Sequence, residues 1–118
     1  SMAAALSTLA AMPRRRWAVL GGMHELGSVS VDEHVRVGQL CGQLGIDHVV
    51  GVGQMAADIV KGAKGARHAV WFPTFEAATN YLAAKVEPGD IVLFKASRAE
   101  GFEGLADLVA QSLGEVQA

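Results

Sequence analysis

The sequence predicts an α/β fold built on a mostly parallel sheet with helices on both faces. Two observations carry this. Four short runs rich in β-branched and aromatic residues alternate with longer segments of helical period, and each run stops at Gly, Pro or a polar loop, as buried parallel strands do when they hand over to a loop. That alternation implies right-handed crossover connections, which place helices above and below a single sheet. The expected architecture is a Rossmann-like three-layer sandwich.

The first strand is predicted at Trp17-Ala18-Val19-Leu20, ending in Gly21-Gly22, and the second at His48-Val49-Val50-Gly51-Val52, ending at Gly53. Ala69-Val70-Trp71-Phe72 stops at Pro73, and Ile91-Val92-Leu93-Phe94 is launched by the turn Glu87-Pro88-Gly89-Asp90. A leading helix over Ala3 to Met12 is broken by Pro13. A second is predicted from Val31 to Leu44, with Val31, Val35, Gly38 and Leu40 to Leu44 near helical spacing, Ser30 or Asp32 as N-cap and Gly45 as its stop. Gln54 to Val60 reads as a short helix ended by Gly62. Thr74 caps a longer one to Val86, whose buried stripe is Phe75, Ala78, Leu82 and Val86, and Phe102 to Leu113 closes the chain with Leu105, Leu108 and Val109 inward. Lys61 to Arg67 is a solvated turn.

Composition narrows the function classes. The chain has 118 residues, one domain's worth, with 51% hydrophobic and 19% charged residues and a formal net charge of -2, which supplies a core and argues against disorder. No basic excess exists to attract nucleic acid or an anionic membrane, so any anion site has to be local. One cysteine, Cys41, leaves no disulfide framework and no Cys-based zinc cage; within an apolar helical stretch it reads as a buried, inert thiol. No apolar stretch approaches the roughly 20 residues of a membrane-spanning helix. Residues 1–12 are Ala-rich, and Arg14 to Arg16 follow the apolar part, the reverse of a secretory signal. The expectation is a cytoplasmic protein.

Ligands of open α/β sheets bind beyond the carboxyl ends of the strands, and two of those ends are chemically equipped. After the first strand, Gly21-Gly22-Met23-His24-Glu25-Leu26-Gly27 permits close backbone approach and offers His24 and Glu25 as an acid/base or hydrogen-bonding pair. After the last, Lys95-Ala96-Ser97-Arg98-Ala99-Glu100-Gly101 packs two cations and a hydroxyl just before a helix, a composition that suits a phosphate or carboxylate. His34, on the margin of the second helix, is expected to be held by a hydrogen bond, while His48 and His68 begin strands and read as structural or solvated. No His, Asp and Glu spacing fixes a metal. Several motifs are missing. There is no Gly-x-x-x-x-Gly-Lys-Ser/Thr and no Gly-x-Ser-x-Gly, and Gly51-Val52-Gly53 has Ala56 where a dinucleotide fingerprint needs its third glycine.

Taken together, Ser1-Met2-Ala3-Ala4-Ala5-Leu6, Val19-Leu20-Gly21-Gly22-Met23-His24-Glu25-Leu26-Gly27, His34 with Val37-Gly38, Ile46-Asp47 before Val52-Gly53, and Pro88 through Arg98 resemble the C-terminal domain of the Mur ligases. The likeness runs in order over essentially the whole chain. Gly-x-Met-x-Glu-Leu-Gly and Lys-x-Ser-Arg resemble most the members that add D-alanyl-D-alanine, and disfavour a folylpolyglutamate synthetase. The resemblance implies one domain, 1–118, of a three-domain cytoplasmic enzyme that joins D-alanyl-D-alanine to UDP-N-acetylmuramoyl-tripeptide with ATP and Mg2+ through an acyl-phosphate. The P-loop, a carbamylated lysine and the metal ligands then belong to a central domain outside this chain, so that 1–118 alone is inactive.

On that resemblance Lys95, Ser97 and Arg98 receive the D-alanyl-D-alanine carboxylate, Gly21, His24 and Glu25 form a cleft loop towards nucleotide, and His34 is structural. Gly22 stands where many members carry an acidic residue and Ala96 where many carry glycine, so no side-chain role is assigned there. The family's Asp-x-Tyr-Asn-Ala-Asn segment would fall immediately before Ser1, which implies a chain cut at the start of the domain. The alternative is a standalone Rossmann-like nucleotide-binding or interaction module without catalysis.

Overall fold

A computed structural model describes residues 1–13 and 15–117, with side chains described to residue 114. Five helices and four strands follow one another as α1 (Met2–Ala10), β1 (Arg16–Leu20), α2 (Ser30–Gln43), β2 (His48–Val52), α3 (Ala56–Gly62), β3 (His68–Phe72), α4 (Phe75–Lys85), β4 (Ile91–Lys95) and α5 (Phe102–Gln117). The sheet is parallel throughout, in the order β3-β2-β1-β4. The chain therefore winds outward from β1 through β2 to β3, then returns across the sheet to place β4 on the other side of β1.

Period-two alternation decides which face each strand residue serves. Ala18, Leu20 and Val49 pack with Leu6, Leu9, Val37, Cys41, Ile59 and Ala63 of α1, α2, α3 and the turn after α3. Trp17, Val19, Val50 and Val52 point the other way, onto Ala78 and Leu82 of α4 and Phe102, Leu105 and Val109 of α5. The three layers expected from the alternation are thus present, and all four strands fall where predicted.

Four details differ from the sequence expectation. The stretch from Lys61 to Arg67, expected as a solvated turn, begins inside α3, and Gly62 and Ala63 are buried because the bare Gly62 lets α3 close against Val35 of α2. Helix α2 grows directly out of a 3-10 turn at Gly27–Val29, so Val29 occupies the N-cap position and neither Ser30 nor Asp32 caps it. Its buried stripe is His34, Val37, Gly38 and Cys41, rotated from the predicted one, and Val31 is exposed. On α5, Leu105 and Val109 are buried but Leu108 is 44% exposed. It sits one flank away from the Phe102-Leu105-Val109 stripe that meets the sheet, beside Glu76, Thr79 and Asn80 of α4. Thr74 does cap α4, accepting from the Ala77 amide at 3.2 Å, and Gly45 ends α2 with φ +70°.

Helices α2 and α3 approach so closely that glycine is obligatory at the crossing. A Cβ on Gly38 would lie 1.9 Å from the Ile59 carbonyl oxygen, and one on Gly62 would lie 2.1 Å from that of Val35. Both obstacles are backbone, which cannot swing aside.

The amino-terminal edge of the sheet is held by two aspartates. Asp90 accepts from Arg15 Nη2 at 2.8 Å, from Trp17 Nε1 at 3.0 Å and from the Glu87 amide at 2.9 Å, with only 6% of its side chain exposed. Asp47 accepts from the Arg16 amide at 2.8 Å and from Arg16 Nε at 3.3 Å, while Arg16 also donates to the Ala10 and Gly45 carbonyls. Burial pushes both carboxyls up, but these hydrogen bonds and charges outweigh it and hold both below the ordinary range. Beside them Trp17 stacks on His48 at 3.7 Å and His48 on His68 at 4.7 Å. Burial, then His68 and Arg15, depress His48. The exposed pairs Arg36–Glu33 and Lys61–Asp58 are worth a few tenths of a kcal/mol at most.

Two outcomes follow from this packing. Gly38→Ala should lower stability by about 2 kcal/mol or more, as overpacking against rigid backbone does. Gly104→Ala in α5, where an added methyl meets nothing within 4 Å, should leave stability unchanged or raise it by up to roughly 1 kcal/mol, and chemical denaturation of both variants reads the difference in sign. Depressed groups contribute stability above their ordinary pKa that is lost as pH falls. Denaturation midpoints should therefore drop first below about pH 6.5, where unfolded histidine protonates, and again below about pH 4, where unfolded carboxylates do. Asp90→Asn should flatten the second fall.

Candidate functional site

The reversal of winding makes the β1–β4 boundary a topological switch point, where the loops leaving two neighbouring parallel strands depart in opposite directions and open a crevice. Leu20 and Lys95 are register partners at its floor. The ladder runs on past both strands: the Gly21 amide donates to the Lys95 carbonyl at 3.0 Å and the Ser97 amide to the Gly22 carbonyl at 2.9 Å. Residues 73 apart in the chain are thereby joined, because the His24 amide donates to Ser97 Oγ at 2.7 Å.

Gly21 is required by close approach. A Cβ there would stand 2.5 Å from the Phe102 ring and 2.9 Å from the Ala96 methyl, so the bare backbone lets the first residue of α5 seat against the end of β1. After Ser97 the chain makes a 3-10 turn over Arg98–Glu100, and Gly101 at φ +66° turns it into α5. Lys95, Ala96, Ser97 and Arg98, with Phe102 and Glu103 of α5, line an open depression of about 320 Å³. Arg98 is exposed and Lys95 half-buried, and among the described residues neither side chain makes an ion pair. The residues that line the hollow include two cations and a hydroxyl, beside the first turn of α5, a set of residue types that can bind a carboxylate or phosphate; Glu103 is the acidic residue on its wall.

Lys95, Ser97 and Arg98 all line this one depression. Gly21, His24 and Glu25 lie beside them without lining the same depression. The expected pairing of His24 with Glu25 does not form. Glu25 is exposed and stands at φ +65°, the one non-glycine residue in the left-handed region among those described, which turns it away from its neighbour. His24 instead places Nε2 at 2.6 Å from Glu100 Oε2. Sequence reasoning missed Glu100 because no local signal links residues 76 positions apart.

His34 is held as predicted, and its burial is deeper than a margin position suggests, at 1% exposure. Its Nδ1 lies 2.6 Å from the Ser30 carbonyl, which requires a proton there, so Nε2 is the acceptor for the Met23 amide at 2.9 Å. This ties the glycine loop to α2. Cys41 is fully buried, and burial pushes its thiol up to about 12. Among the described residues no group of three or more His, Cys, Asp or Glu side chains is able to hold a metal, and no helix is long and apolar enough to cross a membrane.

Comparison with known proteins then decides the family: the model for "Mur ligase, glutamate ligase domain" matches residues 1–98. The chain belongs to the Mur ligase family. This Mur ligase domain is 40% identical over 103 residues to the UDP-N-acetylmuramoyl-tripeptide--D-alanyl-D-alanine ligase of Mycobacterium leprae, covering 81% of the chain and 20% of that protein. It is 40% identical over 124 residues to the Synechocystis enzyme of the same name, covering 98% of the chain and 25% of the relative. Among solved structures it is similar to a MurF ligase from Thermotoga maritima in complex with ADP, at TM-score 0.83 and 29% identity over 99% of the chain and 26% of that one. It is similar also to MurF from Acinetobacter baumannii, at TM-score 0.80 and 33% identity, covering 92% and 24%. The Mur ligase domain thus spans about a quarter of the length of these relatives.

Thiolate, not thiol, reacts with alkylating agents, so native Cys41 should resist iodoacetamide at pH 8 while the guanidinium-unfolded chain is labelled rapidly. Mass spectrometry reads the adduct.

Proposed function

We propose that this chain is the C-terminal domain of a MurF-type ligase, which adds D-alanyl-D-alanine to UDP-N-acetylmuramoyl-tripeptide in the cytoplasm during peptidoglycan precursor synthesis. The observation that carries the reading is the hollow at the β1–β4 switch point, lined by Lys95 and Arg98, which make no ion pair among the described residues, in a chain whose relatives bear that ligase's name.

In this reading Arg98 and Lys95 grip the terminal carboxylate of the incoming dipeptide, and Ser97 donates to it. The free end of the dipeptide, its amine, is then directed out of the hollow towards the carboxyl it attacks. Gly21, His24 and Glu25 form the neighbouring loop that faces nucleotide across the cleft. ATP and Mg2+, bound mainly by residues outside this chain, supply the activation of the tripeptide carboxyl. The residues here fit a supporting part only: there is no P-loop in the sequence and no metal-holding cluster among the described residues, whereas the two cations, Lys95 and Arg98, can offset phosphate charge nearby.

Loss of a charge-assisted hydrogen bond costs about 1.5–3 kcal/mol. Arg98→Ala in the complete ligase should therefore raise KM for D-alanyl-D-alanine roughly ten- to hundredfold, with KM for the UDP-tripeptide changed less than about twofold. Steady-state kinetics with each substrate varied in turn makes the distinction, and equal effects on both substrates would reject Arg98 as the carboxylate's partner.

A further inference from the structure

The His24–Glu100 contact is the feature of the switch point that the reading above leaves without a purpose. Glu100 ends the 3-10 turn that follows Ser97. Its Oε2 lies 2.6 Å from His24 Nε2, with both side chains largely covered, at 34% and 24% exposure. Its other oxygen, Oε1, lies 3.3 Å from where a Cβ on Gly53 would stand, so the carboxylate is lodged against the end of β2 as well. One side chain thus spans the loops that leave three adjacent strands.

The consequence falls on Ser97. A hydroxyl has one proton to give and lone pairs to receive with. At Ser97 the receiving role is taken by the His24 amide at 2.7 Å, and among the described residues nothing accepts the Ser97 proton. The hydroxyl is therefore left as a donor, on a residue that lines the hollow together with Lys95 and Arg98. The His24 amide can hold it in that role only while the loop from Gly21 to Gly27 stays closed against the turn. Besides the Ser97 amide on the Gly22 carbonyl, two side-chain contacts keep the loop there: the Met23 amide on His34 of α2, and the His24 ring on Glu100 of the turn itself.

We propose that Glu100 is a positioning residue for the anion hollow: by holding the His24 ring it fixes the His24 amide, and through that amide it commits the Ser97 hydroxyl to donate to a bound carboxylate. This rests on the assignment of the hollow to the dipeptide carboxylate. Glu100 does not touch the anion, and a carboxylate placed nearer to it would repel one. Its action runs through Ser97.

The prediction is a dependence of one residue's effect on another. In the complete ligase Glu100→Gln should raise KM for D-alanyl-D-alanine at least fivefold while kcat and KM for the UDP-tripeptide stay within twofold. In a Ser97→Ala background the same change should have no further effect. Additive effects in the double variant would overturn the proposal, as would a loss of kcat alone. If Ser97→Ala itself leaves every kinetic constant unchanged, the assignment of the hollow fails and the clasp is judged separately, by hydrogen exchange of the His24 amide in this chain. Faster exchange in Glu100→Gln, with amides of the β1–β4 ladder still protected, supports Glu100 as the anchor of that amide, and unchanged exchange rejects it.

Discussion

Everything at the carboxyl edge of this molecule depends on the parallel pairing of β1 with β4. Two strands separated by most of the chain become neighbours there, and their hydrogen-bond ladder continues into the loops through Gly21 to Lys95 and Ser97 to Gly22. The pairing is non-local, so its closure entropy has to be offset by what it buries. It buries Trp17, Val19 and Phe102 on one face and Ala18 and Leu20 on the other. A hollow bordered by two such loops inherits the rigidity of the sheet under it, which is what preorganised recognition of a small anion requires.

The two edges of the sheet use charge in opposite ways. At the amino-terminal edge Arg15 and Arg16 are spent on Asp90 and Asp47, largely covered carboxylates that also satisfy backbone amides at the start of β1 and in the turn before β4. Removing either partner there would strand a partly desolvated charge, so these pairs contribute to the fold. At the carboxyl edge Lys95 and Arg98, near the start of α5, make no ion pair among the described residues. A net charge of -2 conceals this separation, because summed charge says nothing about which cations are neutralised by the protein itself.

Packing on the two faces follows a similar division. On the α2–α3 face Gly38 and Gly62 bring backbone against backbone, and His34 locks α2 to the glycine loop. On the other face Gly21 lets Phe102 close against β1, which sets the starting point of α5 at the rim of the hollow. In each case the glycine acts by what it leaves out, and the nearby functional geometry follows from the approach it permits.

Read alone, the sequence determined the class, the four strands, the helix segments and the two polar strand ends, since these rest on local periodicity and on turn chemistry that neighbouring residues express together. It also carried the family likeness in Gly-x-Met-x-Glu-Leu-Gly and Lys-x-Ser-Arg. The order β3-β2-β1-β4, and with it the crevice between β1 and β4, was decided only by tertiary structure, because crossover direction leaves no trace in the spacing of apolar residues. The same holds for the phase of α2, where His34 displaced the predicted stripe, for the exposure of Leu108, and for the choice of His24's partner. Glu25 was the nearer carboxylate in the chain, but a left-handed backbone turned it to solvent, and the sheet register delivered Glu100 instead.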